Sequence, residues 1–391
     1  MNRKQLIISL FVLAVIGLSI YFLIKEDSSS WNSSKYSATG ENLFGDLDVN
    51  NIASFTVSSG ARTATLRKNE DGSWIVSEKD SYQGDYRKII NFLKNLMEIK
   101  SIQNINAVKS QLEKLSLGDS DREKGTAVLV EFSGDAGRKM ASLLIGKKHF
   151  KKEENPNPFL GGATPDGCYV MICDGKFQPK LVNNSFEGAN PDPLSWTDKT
   201  LFEIDNMNTI EVKRKNPEEN WKIAKDAQSG KLTLPDLKED ETLDDAKLQP
   251  LNGFFKNTSF MDVKTCPADF AGETVKIETA DGFKYEINFA PSEGNAEKYL
   301  VNVRTSAVIP EQRESGKDEK PEDKEKLDNE FKAKNENLKE KLEHEKSLAK
   351  WLYTVSKGDL SQVLKARKEF LKTKEEKKDE ALKTAEPPKA E

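Results

Sequence analysis

Trp74 and Trp221 carry the clearest chemical pattern in the sequence. Each stands seven residues beyond an arginine that opens an Arg-Lys-Asn triplet, Arg67 for the first and Arg214 for the second. An exposed indole face stacks on sugars, so a repeated pair could form a glycan platform. A strand tryptophan that closes one face of a core needs the same residue type, and recurrence at equivalent positions favours the core. Cys168 and Cys173 flank the strand-like run 169–172. Residues five apart on a strand point to opposite faces and lie about 16 Å apart, whereas a disulfide needs Cα atoms within about 7 Å. The expectation is free, mostly buried thiols, with a Cys168–Cys266 or intermolecular bridge left as alternatives.

His149 lies in the basic cluster Lys147-Lys148-His149-Phe150-Lys151-Lys152, which reads as a solvated loop after a strand, with anion binding as the alternative. The other histidine, His344, falls in a charged region, and neither stands in a Ser–His or Cys–His signature. Asp236, Glu239, Asp240, Glu241, Asp244 and Asp245 form an acidic run without the spacing of a calcium loop, so only weak cation attraction follows. Neither Gly-x-Gly-x-x-Gly nor a phosphate-loop motif occurs. No catalytic, cofactor-binding or metal-ligating residue is therefore assigned, and no cofactor. With 60 basic against 65 acidic side chains, the chain lacks the positive excess of a nucleic-acid binder. Three cysteines and two histidines in 391 residues exclude a disulfide scaffold and a histidine-rich metal centre.

The elements that would position these residues begin with an anchor. Residues 6–24 are apolar except for Ser9, Ser19 and Tyr21. At about 1.5 Å per residue such a helix just spans a hydrocarbon core about 30 Å thick. The run exceeds the core of a typical signal peptide, and neither a small-residue cleavage site nor a lipoprotein cysteine follows it; a cleaved signal is the alternative. Arg3 and Lys4 precede the run, whereas Lys25 is offset by Glu26 and Asp27, so the N-terminus is expected in the cytoplasm and the rest outside it. The first 25 residues carry +3 of a total of −5, which leaves −8 for the exported part.

The middle of the chain repeats itself. After Trp74-Ile75-Val76 come a polar loop, Asp85, and a segment with Ile89, Phe92, Leu93, Leu96 and Met97 at helical spacing, for which Asp85 is a suitable N-cap. After Trp221-Lys222-Ile223 come a longer loop, Asp244-Asp245, and residues 251–257, read as a shorter helix starting near Pro250. Each copy then offers a strand hairpin and a further strand: 126–132, 141–145 and 169–172 in the first, 274–279, 284–289 and 299–303 in the second. Asp281-Gly282 between alternating runs is a strong hairpin signal. The unit predicts an antiparallel sheet with a packed helix, hence an α+β fold. Copy two lacks the extra hairpin that Ser58-Ser59-Gly60-Ala61 gives copy one.

The anchor, the polar stalk and the doubled Trp-then-Asp-then-helix module resemble a bacterial membrane-anchored family, domain-of-unknown-function family 4340. Trp74, Asp85, Tyr169, Trp196, Trp221 and Tyr299 carry the resemblance over roughly residues 1–310, with Trp351–Leu371 as a further stretch it could include. It implies proteins encoded beside gliding-motility-type ABC transporter components, and it supplies no catalytic residues. The expected organisation is an anchor at 1–25, a stalk at 26–46, modules at 47–190 and 191–310, a charged helical or disordered arm at 311–350, and a short helix with a polar tail at 351–391. Asp359 and Gln362 read as the capping box of that last helix. The arm, with sparse Leu327, Phe331, Leu338 and Leu342, is expected to be a spacer that can be deleted without loss of assembly.

The functional expectation is a non-enzymatic, periplasm-facing accessory component of an ABC-type transport or gliding-type complex in the inner membrane, held there by its single N-terminal helix and partnered by transporter subunits. The alternatives are a membrane-tethered ligand- or glycan-binding module and, last, a carboxylate-based enzyme.

Overall fold

The computed structural model describes residues 42–44, 47–150, 165–173, 178–226, 228–256, 258–313 and 321–373. The anchor at 1–25 and nearly all of the stalk lie outside the described residues. Among the described residues, no helix is long and apolar enough to cross a membrane.

Among the described residues, seventeen strands form two antiparallel sheets, so the fold is α+β as expected. The first sheet contains β1 (Ser54–Ser59), β2 (Arg62–Lys68), β3 (Trp74–Val76), β4 (Tyr82–Gln83), β5 (Ser101–Asn104), β6 (Val128–Ser133), β7 (Lys139–Phe150), β8 (Pro165–Ile172) and β9 (Pro179–Val182). The second contains β10 (Met207–Lys213), β11 (Trp221–Lys225), β12 (Leu232–Thr233), β13 (Asp262–Thr265), β14 (Glu273–Thr279), β15 (Phe283–Ser292), β16 (Asn295–Ala307) and β17 (Trp351–Ser356). Their orders are β4-β3-β2-β1-β6-β7-β8-β9-β5 and β12-β11-β10-β14-β15-β16-β17-β13. From β6 and from β14 onward the two orders follow one scheme. Three strands meander, a fourth joins them, and the strand that came before the meander closes the edge. The repeat read from sequence is thus a repeat of topology, with one strand fewer in the second sheet. By compactness the chain divides into a first unit, up to Thr63 and Ile90–Pro191, and a second, Ala64–Ile89 and Asp192 onward.

Helix α1 (Tyr86–Met97) forms where the apolar spacing placed it. The Asp85 carboxylate accepts the Lys88 N–H at 3.0 Å, which satisfies an orphan donor of the first turn. The Asp281-Gly282 turn also forms as expected. Gly282 has φ +88°, and a Cβ there would meet the Val308 carbonyl oxygen, so only glycine fits.

The second copy's helix differs from expectation. Asp244 caps a four-residue helix, Asp245–Leu248, by accepting the Ala246 N–H at 3.0 Å, and a 3-10 turn at Gln249–Leu251 ends it. The helix therefore stops near Pro250 instead of starting there. Gly253, with φ +80°, turns the chain away before residues 254–256 can extend it. The capping box at Asp359 does not open a helix either. Its carboxylate accepts from the Ser356 N–H and hydroxyl at 3.0 and 2.8 Å, and two 3-10 turns, Gly358–Leu360 and Arg367–Phe370, follow.

The charged arm changes character most. Pro321–Ser347 is one long helix, and its C-terminal half packs on the second unit's core through Leu338 and Leu342, followed by Leu348. The Lys341 ammonium donates to the Glu203 carbonyl at 2.7 Å and lies over the Phe283 ring. Strand β17 then inserts between β16 and β13, so the second module does not end at 310. Beyond β17, the Trp221 indole N–H donates to the Lys365 carbonyl at 2.8 Å, and Phe370 packs edge-on against that indole. Arg214 pairs with Glu273 at 2.6 Å and donates to the Leu364 carbonyl. Deleting 311–350 would strip apolar cover from the core and leave only residues 308–310 to join β16 to β17, so the helix is part of the second unit's core and not a dispensable spacer.

Candidate functional site

Both repeated tryptophans are core residues, 2% and 3% exposed, as the recurrence argument expects. They do not hold matching places in the ladders. Trp74 pairs with Lys68, the second residue of its triplet, but Trp221 pairs with Val212, ahead of its triplet. Trp74 opens the third strand out from β6, and Trp221 the second out from β14. Equal spacing in sequence was met by a longer turn, with its own 3-10 segment Pro217–Glu219, in the second copy.

The other flagged residues serve structure. All three thiols are free; Cys168 is buried, Cys266 partly so, and Cys173 exposed, so burial fits one of the three fully. Burial pushes the Cys168 thiol up to about 11 and keeps it protonated. His149 is not in a loop: β7 runs to Phe150, and the His149 Nδ1 meets Asp166 Oδ1 at 2.6 Å across the β7–β8 pair. In the acidic run, Glu241 receives both guanidinium nitrogens of Arg367, at 2.6 and 2.7 Å, and that hydrogen bonding holds its carboxyl down at about 2. Asp244 caps its helix. Among the described residues, no three His, Cys, Asp or Glu side chains converge as a metal site.

One concave feature with room for a ligand, among the described residues, was not flagged by sequence. It is a cleft of about 850 Å3 in the first unit. Its floor is Leu112, Leu117, Leu144 and Met171, all buried, and its rim includes Lys109, Glu113, Asp119, Arg122 and Cys173. Strands β7 and β8 supply one side. The other is the connection from β5 to β6, which carries a 3-10 segment, Lys109–Leu115, and helix α2 (Asp119–Lys124).

Two devices hold this connection in place. A Cβ at Gly146 would clash with the Leu115 carbonyl oxygen, so glycine lets the connection press on β7. The buried Asp121 carboxylate accepts the Gly118 N–H and the Thr126 hydroxyl, each at 2.9 Å, and closes the loop around α2. A polar cavity of about 350 Å3, lined by Ser58, Ser59, Gly60, Glu123 and Leu129, shares Asp119 and Arg122 with the cleft.

Elsewhere one buried acid stands out. Glu345 is 2% exposed at the end of the long helix, 3.9 Å from the Lys341 ammonium. Burial raises its carboxyl to about 7 despite that neighbour.

Fold and site together define a doubled antiparallel-sheet α+β protein with an aliphatic cleft in its first copy. Residues 74–263 match the family described as "Domain of unknown function (DUF4340)". The match opens at Trp74 and closes in β13, so it takes in parts of both copies, a shorter span than the resemblance covered. No curated protein and no solved structure matches the chain.

Proposed function

We propose that the chain is a non-enzymatic, membrane-anchored, periplasm-facing accessory component of an ABC-type transport or gliding-type membrane complex. The observation that carries this reading is the uncharged apolar run 6–24 behind Arg3 and Lys4, ahead of two modules whose repeated tryptophans are buried. Affinity capture of the full chain from native membranes is expected to return integral transporter subunits. Recovery of soluble partners alone, or cytoplasmic activity of a reporter fused after residue 391, would sink the reading.

The second reading, a membrane-tethered ligand-binding module, is favoured by the cleft. Among the described residues its lining has no aromatic ring on which a sugar could stack, and both repeated tryptophans are buried, so the ligand class it supports is apolar and not a glycan.

A further inference from the structure

The cleft and the neighbouring polar cavity meet along one wall, because Asp119 and Arg122 line both. Their chemistry differs. The larger compartment, about 850 Å3, has the size of small-molecule sites, and its floor is aliphatic. The smaller, about 350 Å3, presents Ser58 and Ser59 together with three charges, Arg122, Asp119 and Glu123. Among the described residues none of these three side chains has an ionic or hydrogen-bonding partner, whereas the Ser59 hydroxyl is taken up by the Gly125 and Ala127 carbonyls.

A guanidinium and two carboxylates left unpaired around one cavity suit a group that carries both signs. The guanidinium fork matches a phosphate, and the carboxylates accept from an ammonium. A purely anionic head would meet one base and two acids, and a purely cationic head would face Arg122. The aliphatic compartment next door takes hydrocarbon, since each buried methylene tightens binding about four-fold.

We infer that the first unit binds a zwitterionic amphiphile, with its hydrocarbon chain against Leu112, Leu144 and Met171 and its phosphate–ammonium head between Arg122, Asp119 and Glu123. This rests on the ligand-binding reading of the cleft and is independent of the partner complex.

The test uses the full chain in phosphatidylglycerol vesicles, with a lysophosphatidylethanolamine whose acyl chain carries a photoreactive diazirine. Adducts mapped by mass spectrometry are expected on the segments containing Leu112, Leu144 and Met171. The same chain on a phosphoglycerol head is expected to label them several-fold less. Met171→Trp fills the floor and should abolish the adducts while the melting curve stays cooperative. Arg122→Gln, at an exposed position that folding does not need, should weaken labelling about ten-fold, the loss expected for one charge-assisted contact. It should also erase the preference between heads.

If Met171→Trp does not fold, Arg122→Gln decides. Equal labelling of the cleft by both probes would overturn the zwitterion assignment and leave the ligand-binding reading standing. Absence of cleft adducts with either probe would overturn both.

Discussion

Strands β6 and β7 bury side chains on both faces, whereas β14 and β15, in the matching places of the other sheet, bury one. In β7, residues 142–145 are buried consecutively; in β15, Phe283, Tyr285, Ile287 and Phe289 are buried, with more exposed residues between them. The cause is where each copy spends its long connection. The first copy carries a 3-10 segment and α2 in its link from β5 to β6. There they gather Leu129, Leu144 and Met171 into a small cluster of their own, part of which floors the cleft. The corresponding link in the second copy, residues 266–272, is short. That copy spends its length at 308–350, between β16 and β17, where the long helix packs on the existing core. One insertion creates a second, incompletely filled core, and the other thickens the first. The incompletely filled one holds the cleft of about 850 Å3, against about 260 Å3 for a cavity lined by Ile204, Leu251 and Phe255 in the second copy.

The largest expected effect tests the part both copies share. Trp221→Ala should cost about 3–5 kcal/mol in chemical denaturation, as for a buried aromatic whose site cannot collapse. A loss below 1 kcal/mol would mean that the straps from Leu364, Lys365 and Phe370 carry the second core without it.

Glu345 probes the helix that only the second copy has. Its carboxyl titrates near 7 when folded, against the usual value near 4.5. Between those values the folded state holds the proton more tightly, so stability is greatest below about pH 4.5 and falls as pH rises to about 7. The fall amounts to about 3 kcal/mol for this group. Glu345→Gln should flatten that slope in melts run from pH 5 to 8. An unchanged slope would show that the helix end opens to water.

The smaller effects sharpen the contrast between faces. Leu144→Ala should cost about 2 kcal/mol, toward the low end for buried leucine because the open cleft lets its surroundings relax. Lys284→Ala, on the exposed face of β15, should stay within about 0.5 kcal/mol. Equal losses at the two positions, measured by urea denaturation, would erase the two-face distinction.

Much of the frame was legible in sequence. Asp85 and the apolar spacing of Ile89, Phe92, Leu93 and Leu96 specify α1 locally, and Asp281-Gly282 specifies its hairpin, because caps and turns depend on residues a few positions apart. Even the two-sided burial was written in Leu143-Leu144-Ile145, a continuous apolar run that contrasts with the alternation from Lys284 to Phe289. What that second face meets was not, since the cleft joins residues 109–122 to Leu144 and Met171 across long stretches of chain.

By itself, then, the sequence determined the fold class, the doubled strand scheme and the apolar run at 6–24, all of which depend on local pattern and periodicity. Tertiary structure decided the rest. It gave Trp74 and Trp221 different ladder partners despite equal spacing, and it turned a charge-rich arm into a docked helix on the strength of Leu338, Leu342 and a buried Glu345. It left Arg122, Asp119 and Glu123 around one cavity without partners. Such outcomes depend on which distant surface a side chain meets, and a long polar helix holds its place through a few contacts that its average composition conceals.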